Sequence, residues 1–181
     1  MMPKIIDRDA YRRELAIKSV DIFTEYGVNG IGMRGIAELL GISKSALYHY
    51  FSSKEELFKA STEVFLEPNS LYGLADGESV PQDKEQALTK LISVLDDRFK
   101  GEMTLMLDYT KNKNDQQISE DEMLNMANRQ FKAELGNVVG EVNEDKAYAL
   151  LFGGLTMRLL DGKQTKINDI VKWILELTDV K

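Results

Sequence analysis

The sequence predicts an all-α protein of about nine helices, in which a three-helix helix-turn-helix domain precedes a second helical domain. Apolar residues recur at helical spacing along most of the 181 residues, and no strand-like alternation persists. Glycines, prolines and capping residues interrupt this pattern between the helices. The pattern lapses after residue 66, which predicts domains at 1–66 and 67–181.

The segment 36–51 is typical of a short helix, a tight turn and a second short helix. Gly41 follows the first helix, where the chain must adopt left-handed geometry and reverse. Ser43 stands two residues later, where it can cap the second helix. Leu47 and Phe51 are four residues apart, so they share the inward face of that helix. This is the pattern of a helix-turn-helix.

The opposite face of this second helix carries hydrogen-bonding and aromatic side chains. They are Lys44, Ser45, Tyr48 and His49. A helix that lies in the major groove of DNA needs this division, because base edges and phosphates require polar partners while the other face anchors the helix. The pattern therefore predicts a helix that reads DNA.

Two helices precede the turn. The spacing predicts the first over 8–26, ended by Gly27, and the second over 33–40, with Arg34 in its first turn. Gly32 occupies the N-cap position of the second helix, where it is acceptable but weaker than serine or threonine.

A further helix follows the reading helix and runs to about residue 66. Ser53 and Glu56 form a predicted capping box at its start, with each side chain bonding the backbone of the other end of the box. The free amides of this first turn and Lys54 together make a natural site for one DNA phosphate.

Glycines, prolines and caps divide the rest of the chain. The predicted segments are a loop over 67–82 with at most one helical turn, a helix capped by Asp83 and Gln86, a helix over 102–110, a polar loop over 111–117, a helix capped by Ser119 and Glu122 that ends near 136–140, a helix capped by Asn143 and ended by Gly162, and a last helix with an apolar stripe from Ile167 to Leu177.

The last two helices have more apolar perimeter than one small domain can cover. Only Thr156 and Arg158 are clearly polar between residues 147 and 160. A helix that is apolar on nearly every side must be covered on every side. We therefore expect a second copy of the chain to cover the rest, with an interface formed by Leu151, Leu155, Leu159, Ile170, Trp173 and Leu177.

Composition excludes several classes of protein. The chain has no cysteine and one histidine, which excludes disulfides, thiolate catalysis and histidine-rich or cysteine-ligated metal centres. No phosphate-binding glycine loop or paired nucleophile is present, so we expect no enzymatic activity, no metal and no cofactor. No apolar run reaches membrane-spanning length, so we expect a cytoplasmic protein without a membrane partner.

The net charge of −7 is uneven along the chain. Residues 1–60 carry nine basic and eight acidic side chains, so the acidity lies outside the helix-turn-helix. DNA affinity depends on the few cations that face the phosphates, and an acidic remainder mainly weakens non-specific binding. The charge therefore neither supports nor excludes DNA binding.

Residues spread over about 8–60 resemble the N-terminal domain of TetR-family transcriptional regulators. They are Leu15, Phe23, Gly27, Arg34, Ile36, Ala37, Gly41, Ile42, Ser43, Leu47, Tyr48, Phe51 and the run Ser53–Leu57. The resemblance implies that Arg34, Ser43, Lys44, Ser45, Ala46 and His49 contact bases or the groove, and that Tyr48, Tyr50 and Lys54 contact phosphates. Tyr50 stands where histidine is frequent in the family, and packing beneath the helix is the alternative role for this side chain.

The resemblance also implies a homodimeric repressor that binds a palindromic operator in double-stranded DNA and leaves it when a small-molecule effector binds the second domain. An activator is the alternative within this class. A methionine-rich set can line an adaptable effector pocket, although core packing is the alternative role: Met103, Met106, Tyr109, Met123, Met126 and Phe131. From another class, the alternative is a TetR-like protein-interaction module in which DNA binding is secondary.

Overall fold

A computed structural model of the chain describes residues 7–75 and 77–178. These residues form ten α-helices and two 3-10 turns and contain no strand, which confirms the all-α prediction with one helix more than the expected count. The helices are α1 (Arg8–Tyr26), α2 (Met33–Leu39), α3 (Lys44–Tyr50), α4 (Lys54–Phe65), α5 (Pro68–Leu71), α6 (Lys84–Thr110), α7 (Asp115–Ser119), α8 (Glu122–Val139), α9 (Glu144–Leu160) and α10 (Ile167–Leu175), and the 3-10 turns are Glu141–Asn143 and Glu176–Thr178.

The helices are divided between two compact units. The first unit consists of the described residues up to Phe65 together with Gly101–Asn114. The second unit consists of the described residues of Leu66–Lys100 and Asp115–Lys181. The helix α6 therefore contributes its N-terminal part to the second unit and its C-terminal part to the first.

Local signals set the helix ends in the first unit. Asp7 caps α1 by accepting from the backbone N–H of Asp9 at 3.0 Å, and Gly27 ends it at φ +73°. Gly41 adopts φ +72° between α2 and α3, and the Ser43 hydroxyl accepts from the Ala46 N–H at 3.1 Å. The predicted glycine turn and serine cap are therefore confirmed. The sequence could predict them because each depends on contacts within a few residues.

The core of the first unit lies between α1 and α4, whose backbones run close together. The rings of Phe23 and Phe58 meet edge to face at 4.9 Å. The largest fully buried side chains among the described residues of this unit are Phe23, Phe51, Leu15, Ile36, Leu47 and Leu57. The inward assignment of Leu47 and Phe51 is therefore confirmed.

The predicted capping box at the start of α4 is half correct. The Glu56 N–H donates to the Ser53 hydroxyl at 3.1 Å, as predicted. The Glu56 carboxylate accepts from the N–H of Ser52 at 2.7 Å, one residue before the predicted partner. The side chain is long enough to pass the cap and reach the turn between α3 and α4.

The predicted break before residue 102 is wrong, because α6 continues from Lys84 to Thr110. The Asp83 carboxylate caps its start by accepting from the Gln86 N–H at 2.9 Å, as predicted. Gly101 does not interrupt the helix. A Cβ atom at this position would lie 2.6 Å from Cγ2 of Thr24 in the same unit, so the glycine permits a close approach.

Two further predicted caps differ from the structure. The segment predicted as a loop over 111–117 also contains the start of α7. The cap of α8 is Asp121 in place of Ser119, since the Asp121 carboxylate accepts from the N–H of Leu124 at 3.0 Å. Asn143 precedes α9 but makes no side-chain cap; its amide donates to the carbonyl of Leu177 at 3.0 Å. At α8 a residue two positions later in the chain takes over the predicted cap. At α9 the predicted capping side chain bonds a residue far away in the sequence instead.

The second unit packs α8 against α9 and α9 against α10. Leu135, Leu151 and Ile170 are fully buried there. An ion pair adds to this packing: Arg158 Nε lies 3.0 Å from the carboxylate of Asp96, and these side chains are 12% and 9% exposed. No helix among the described residues combines the length and apolar character required to cross a bilayer.

Candidate nucleic-acid interface

The helix α3 presents a polar face above a single buried anchor. Leu47 has no exposed surface and fixes the helix from behind. Lys44, Ser45, Tyr48 and His49 are all exposed. A short helix with one buried leucine and four accessible polar or aromatic side chains can enter a groove without losing its packing.

The first turn of α3 concentrates hydrogen-bonding groups. The hydroxyl oxygens of Ser43 and Ser45 lie 3.0 Å apart, and Ser43 also caps the helix. The Lys44 ammonium lies 5.5 Å from the centre of the Tyr48 ring, within cation–π range. Ala46, in the same turn, is half-buried.

The last turn of α3 packs against α1. The ring of Tyr50 meets the rings of Tyr11 and His49 edge to face, each at 5.2 Å between centroids. Tyr50 is half-buried, so its ring packs within the protein, which is the alternative role considered for this side chain.

Two arginines of α1 bind the C-terminal carbonyl groups of α3, and sequence reasoning missed both. Arg8 donates to the His49 carbonyl and Arg12 donates to the Tyr50 carbonyl, each at 3.3 Å. A helix C-terminus attracts cations because its last carbonyl groups carry partial negative charge. The i, i+4 spacing of these arginines places them on one face of α1, but only the tertiary structure shows what that face meets.

Arg34 lies in the first turn of α2, as predicted. Its guanidinium pairs with Glu38 at 3.0 Å, and the two side chains are 83% and 65% exposed. An ion pair this exposed is easily exchanged for another partner. Arg34 is therefore accessible to a phosphate beside α3.

Lys54 has backbone partners within the protein. Its ammonium donates to the carbonyl of Val28 at 2.6 Å and to that of Ile31 at 3.2 Å. Two of its three protons are therefore used in tying α4 to the turn between α1 and α2. The helical pattern of the sequence contains no signal for these bonds, which join residues more than twenty positions apart.

The six predicted pocket residues do not share one unit. Met103, Met106 and Tyr109 belong to the first, whereas Met123, Met126 and Phe131 belong to the second. The Tyr109 ring packs 5.3 Å from Phe58 in the first unit. In the second unit, the ring of Phe131 meets that of Phe152 edge to face at 5.5 Å.

Among the described residues, no group of three or more His, Asp or Glu side chains could hold a metal ion.

Half of the predicted interface residues lie in the core of the second unit. Leu151, Leu155 and Ile170 are at most 1% exposed, so they pack within their own chain and cannot meet a partner. Leu159 is 40% exposed, and Trp173 and Leu177 are half-buried. Leu151 and Leu155 lie on α9, which packs against both α8 and α10, and Ile170 lies on α10, so contacts within the chain bury all three.

Other apolar side chains of α9 are more accessible. Met157 is 53% exposed and Leu160 is 81% exposed. Ala149 and Gly153 precede them on the same face at helical spacing and are also exposed. Apart from the adjacent residues and the backbone of α9, no atom of the described residues would lie within 4 Å of a Cβ atom added at Gly153.

The helix-turn-helix segment is similar to known regulatory proteins. The sequence model of "Bacterial regulatory proteins, tetR family" matches residues 18–61. The chain is 32% identical over 85 residues to the HTH-type transcriptional regulator PksA of Bacillus subtilis, covering 46% of this chain and 42% of PksA. It is 32% identical over 92 residues to the HTH-type transcriptional activator FasR of Mycolicibacterium smegmatis, covering 51% of this chain and 42% of FasR.

A shorter match joins the chain to the tetracycline repressor protein class A from transposon 1721 of Escherichia coli. It has 36% identity over 56 residues and covers 31% of this chain and 26% of the repressor. The chain thus matches less than half the length of each of these relatives.

Solved structures extend the similarity of fold to nearly the whole chain. The multidrug binding protein EbrR, crystallised with proflavin, has a TM-score of 0.59 at 15% identity, covering 92% of this chain and 99% of that one. A tetR-family protein from Shewanella has a TM-score of 0.52 at 13% identity, covering 92% and 95% of the two chains. At such identities the likeness concerns the fold alone.

Proposed function

We propose that this chain is a sequence-specific DNA-binding transcriptional regulator, because residues 18–61 match the sequence model of the tetR family of bacterial regulatory proteins. In this proposal it acts in the cytoplasm as a homodimeric repressor that a small-molecule effector releases from DNA. The exposed polar face of α3 above the buried Leu47 is the observation that carries the proposal.

The side chains of this face divide by their position on the helix. Lys44 and Ser45 stand in the first turn of α3 and can reach base edges, together with His49 one turn later. Ser43 and Ala46 line the same entry to the groove. Base contacts of this kind carry the sequence preference.

Phosphate contacts come from the periphery of the reading helix. Tyr48 is 44% exposed and stands beside Lys44, which favours a hydroxyl contact to the DNA backbone. Arg34 reaches the backbone from α2 once its exposed pair with Glu38 opens. Lys54 contributes its third ammonium proton, and Tyr50 contributes its hydroxyl while its ring remains packed. Such contacts position the protein without reading sequence.

A second copy of the chain covers the exposed face of α9 in this proposal. Met157 and Leu160 supply the apolar surface, and the open space above Gly153 permits another helix to approach closely. This surface replaces the interface expected from Leu151, Leu155 and Ile170. A dimer presents two reading helices to the two halves of a palindrome, about 34 Å apart.

Sedimentation tests the dimer. The wild-type chain should sediment as a dimer at micromolar concentration, whereas Leu160→Glu should sediment as a monomer because it places a charge in the apolar contact. Val142→Glu is the matched control, since Val142 is 93% exposed and lies outside the helix. A monomeric wild type, or a dimeric Leu160→Glu variant, would refute this interface.

The effector binds the second unit in this proposal, where Met123, Met126 and Phe131 lie on α8. Flexible thioethers beside an aromatic ring suit a small apolar or aromatic molecule. The three corresponding side chains on α6 belong to the first unit and are left out of this site. Met126→Ala should weaken release of DNA by an effector identified in a screen, while leaving DNA binding without effector unchanged.

Selection of bound duplexes from random DNA tests the central claim. The wild-type chain should enrich a palindrome, and Lys44→Ala should alter the preference at one or two base pairs. Lys18→Ala is a matched control, because it also removes a cation from an exposed helix surface, where Lys18 pairs with Glu14 four residues earlier. Failure to enrich any sequence would overturn the proposal and favour a protein-interaction module.

A further inference from the structure

The turn between α3 and α4 is clamped by an arginine from α1 and a glutamate from α4. Arg12 donates from Nε to the Tyr50 carbonyl at 3.3 Å and from its terminal nitrogen to Glu56 at 3.0 Å. Its guanidinium also lies 4.6 Å from the centre of the Phe51 ring. One side chain therefore contacts the last residue of the reading helix, the residue after it, and the first turn of the next helix.

Glu56 holds the same turn from the other side. Its second carboxylate oxygen accepts from both the N–H and the hydroxyl of Ser52, each at 2.7 Å. These hydrogen bonds, together with that from Arg12, lower the pKa of Glu56 below its ordinary value. The carboxylate is thus charged at neutral pH and links Ser52 to Arg12.

The chemistry of this arrangement requires an arginine. The planar guanidinium can bond two acceptors and stack on a ring at the same time, whereas a lysine ammonium lacks the fork and the flat face. A cation at the C-terminus of α3 also satisfies carbonyl groups that have no partner within the helix. Arg8 adds a second such contact at the His49 carbonyl.

The contact lies at the end of the reading helix, where it can set the angle of that helix. Leu47 is the one buried side chain within this seven-residue helix, and the buried Phe51 that follows belongs to the clamped turn itself. The clamp lies at the C-terminal end, about one turn beyond the anchor, so it fixes the direction in which the polar face points.

We propose that Arg12, held by Glu56, is a positioning residue that sets the angle of the reading helix in the groove without touching DNA. This inference rests on the proposed function, since it concerns the same helix. Without the clamp the helix samples several angles, and only the fraction that is correctly aligned binds specifically. The apparent dissociation constant rises in inverse proportion to that fraction.

Arg12→Met tests the proposal, because it keeps much of the apolar stem and removes the guanidinium. The exposed fraction of both paired side chains is 38%, so we expect a moderate loss, about five- to tenfold in affinity for the selected palindrome. The preference recovered from random DNA should broaden at the base pairs read by α3. The slope of log affinity against log salt should stay unchanged, since no phosphate contact is lost.

Three further variants make the result specific. Glu56→Gln should reproduce the broadened preference, and combining it with Arg12→Met should add little, because both remove one clamp. Arg12→Lys should fall between the wild type and Arg12→Met. Lys18→Met removes a cation from the same helix and should leave affinity and preference at the wild-type values.

The outcomes separate the two proposals. All measurements are made well below the thermal unfolding midpoint of each variant, where nearly all of the protein is folded. Under these conditions a loss of stability alone would leave the sequence preference unchanged. Unaltered preference in Arg12→Met and Glu56→Gln would overturn the positioning role, as would a salt slope reduced by about 0.9, which marks a lost phosphate contact. If the wild type enriches no sequence, the proposed function fails and this inference falls with it.

Discussion

Gly153 and Gly154 are neighbours near the middle of α9, but a methyl group added at each position meets different surroundings. At Gly153 a Cβ atom would meet no described atom within 4 Å beyond the adjacent residues and the backbone of its own helix. At Gly154 it would lie 2.8 Å from Cγ1 of Ile170 and 3.0 Å from both Cδ1 and Cγ2. Ordinary carbon contacts are about 3.5–4.0 Å, and Ile170 has no exposed surface into which it can turn.

The two substitutions share one term and differ in another. Replacing glycine by alanine inside a helix favours the helix by about 1 kcal/mol at either position. At Gly154, overpacking against Ile170 costs about 1–3 kcal/mol. Gly153→Ala should therefore stabilise the chain by about 1 kcal/mol, and Gly154→Ala should be less stable than Gly153→Ala by about 1–3 kcal/mol.

Urea unfolding followed by far-ultraviolet circular dichroism measures this difference. Both substitutions are made in the Leu160→Glu chain, so that subunit association does not contribute to the transition. With a urea dependence of about 1–3 kcal/mol per molar, the midpoints should differ by roughly 1 M. Equal midpoints would refute the packing argument and show that α10 moves aside without cost.

Three other predictions follow from single contacts. Lys54→Ala should lower the free energy of unfolding by about 1–2 kcal/mol and reduce the salt slope of DNA binding by about 0.9; an unchanged slope in DNA titrations would leave Lys54 a purely structural role. Asp96→Asn should lower the free energy of unfolding at pH 7 by about 2 kcal/mol in urea titrations, whereas Asp97→Asn, on the exposed side of the same helix, should match the wild type. Gly27→Ala should lower that free energy by more than about 1 kcal/mol in the same assay, because φ is +73° and the new Cβ would lie 2.9 Å from Oδ2 of Asp108; wild-type stability would contradict this.

The stabilisation by Asp96 also has a defined pH dependence. Burial alone would raise the pKa of this carboxyl, but hydrogen bonds from Arg158 and Lys163 outweigh burial and hold the pKa below the ordinary value of 3.8. The contribution is therefore complete above about pH 4 and is lost as the pH falls through the lowered pKa. Urea titrations between pH 7 and pH 3 should show a smaller acid loss in Asp96→Asn than in the wild type, and parallel losses would contradict the assignment.

Helix boundaries in the first unit were accessible from the sequence because they depend on neighbours. The predicted first helix has the observed bounds Arg8–Tyr26, and both the glycine turn at Gly41 and the cap at Ser43 form as expected. Each of these features is a contact within about four residues. Where a remote or competing partner was present, as at Asn143, the local pattern predicted the wrong contact.

The exposed face of the reading helix could also be predicted from the sequence, whereas the contacts that hold the end of the helix could not. The 3.6-residue period places Ser45 and His49 opposite Leu47 whatever surrounds the helix. The clamp joins Arg12 to Tyr50 and to Glu56, which are separated from it by 38 and 44 positions in the sequence, and no spacing rule links such distant residues. Likewise, the apolar perimeter of the last helices indicated excess hydrophobic surface, but not which side α10 covers.

The sequence by itself determined the helical class, the helix-turn-helix and the side of α3 that can face DNA, because periodicity and capping are properties of short segments. Only the tertiary structure decided that Arg12 holds the end of that helix, that Lys54 ties α4 to a distant turn, and that Leu151 and Ile170 belong to the core. Those roles depend on distances between segments far apart in the chain, and such distances exist only once the helices have packed.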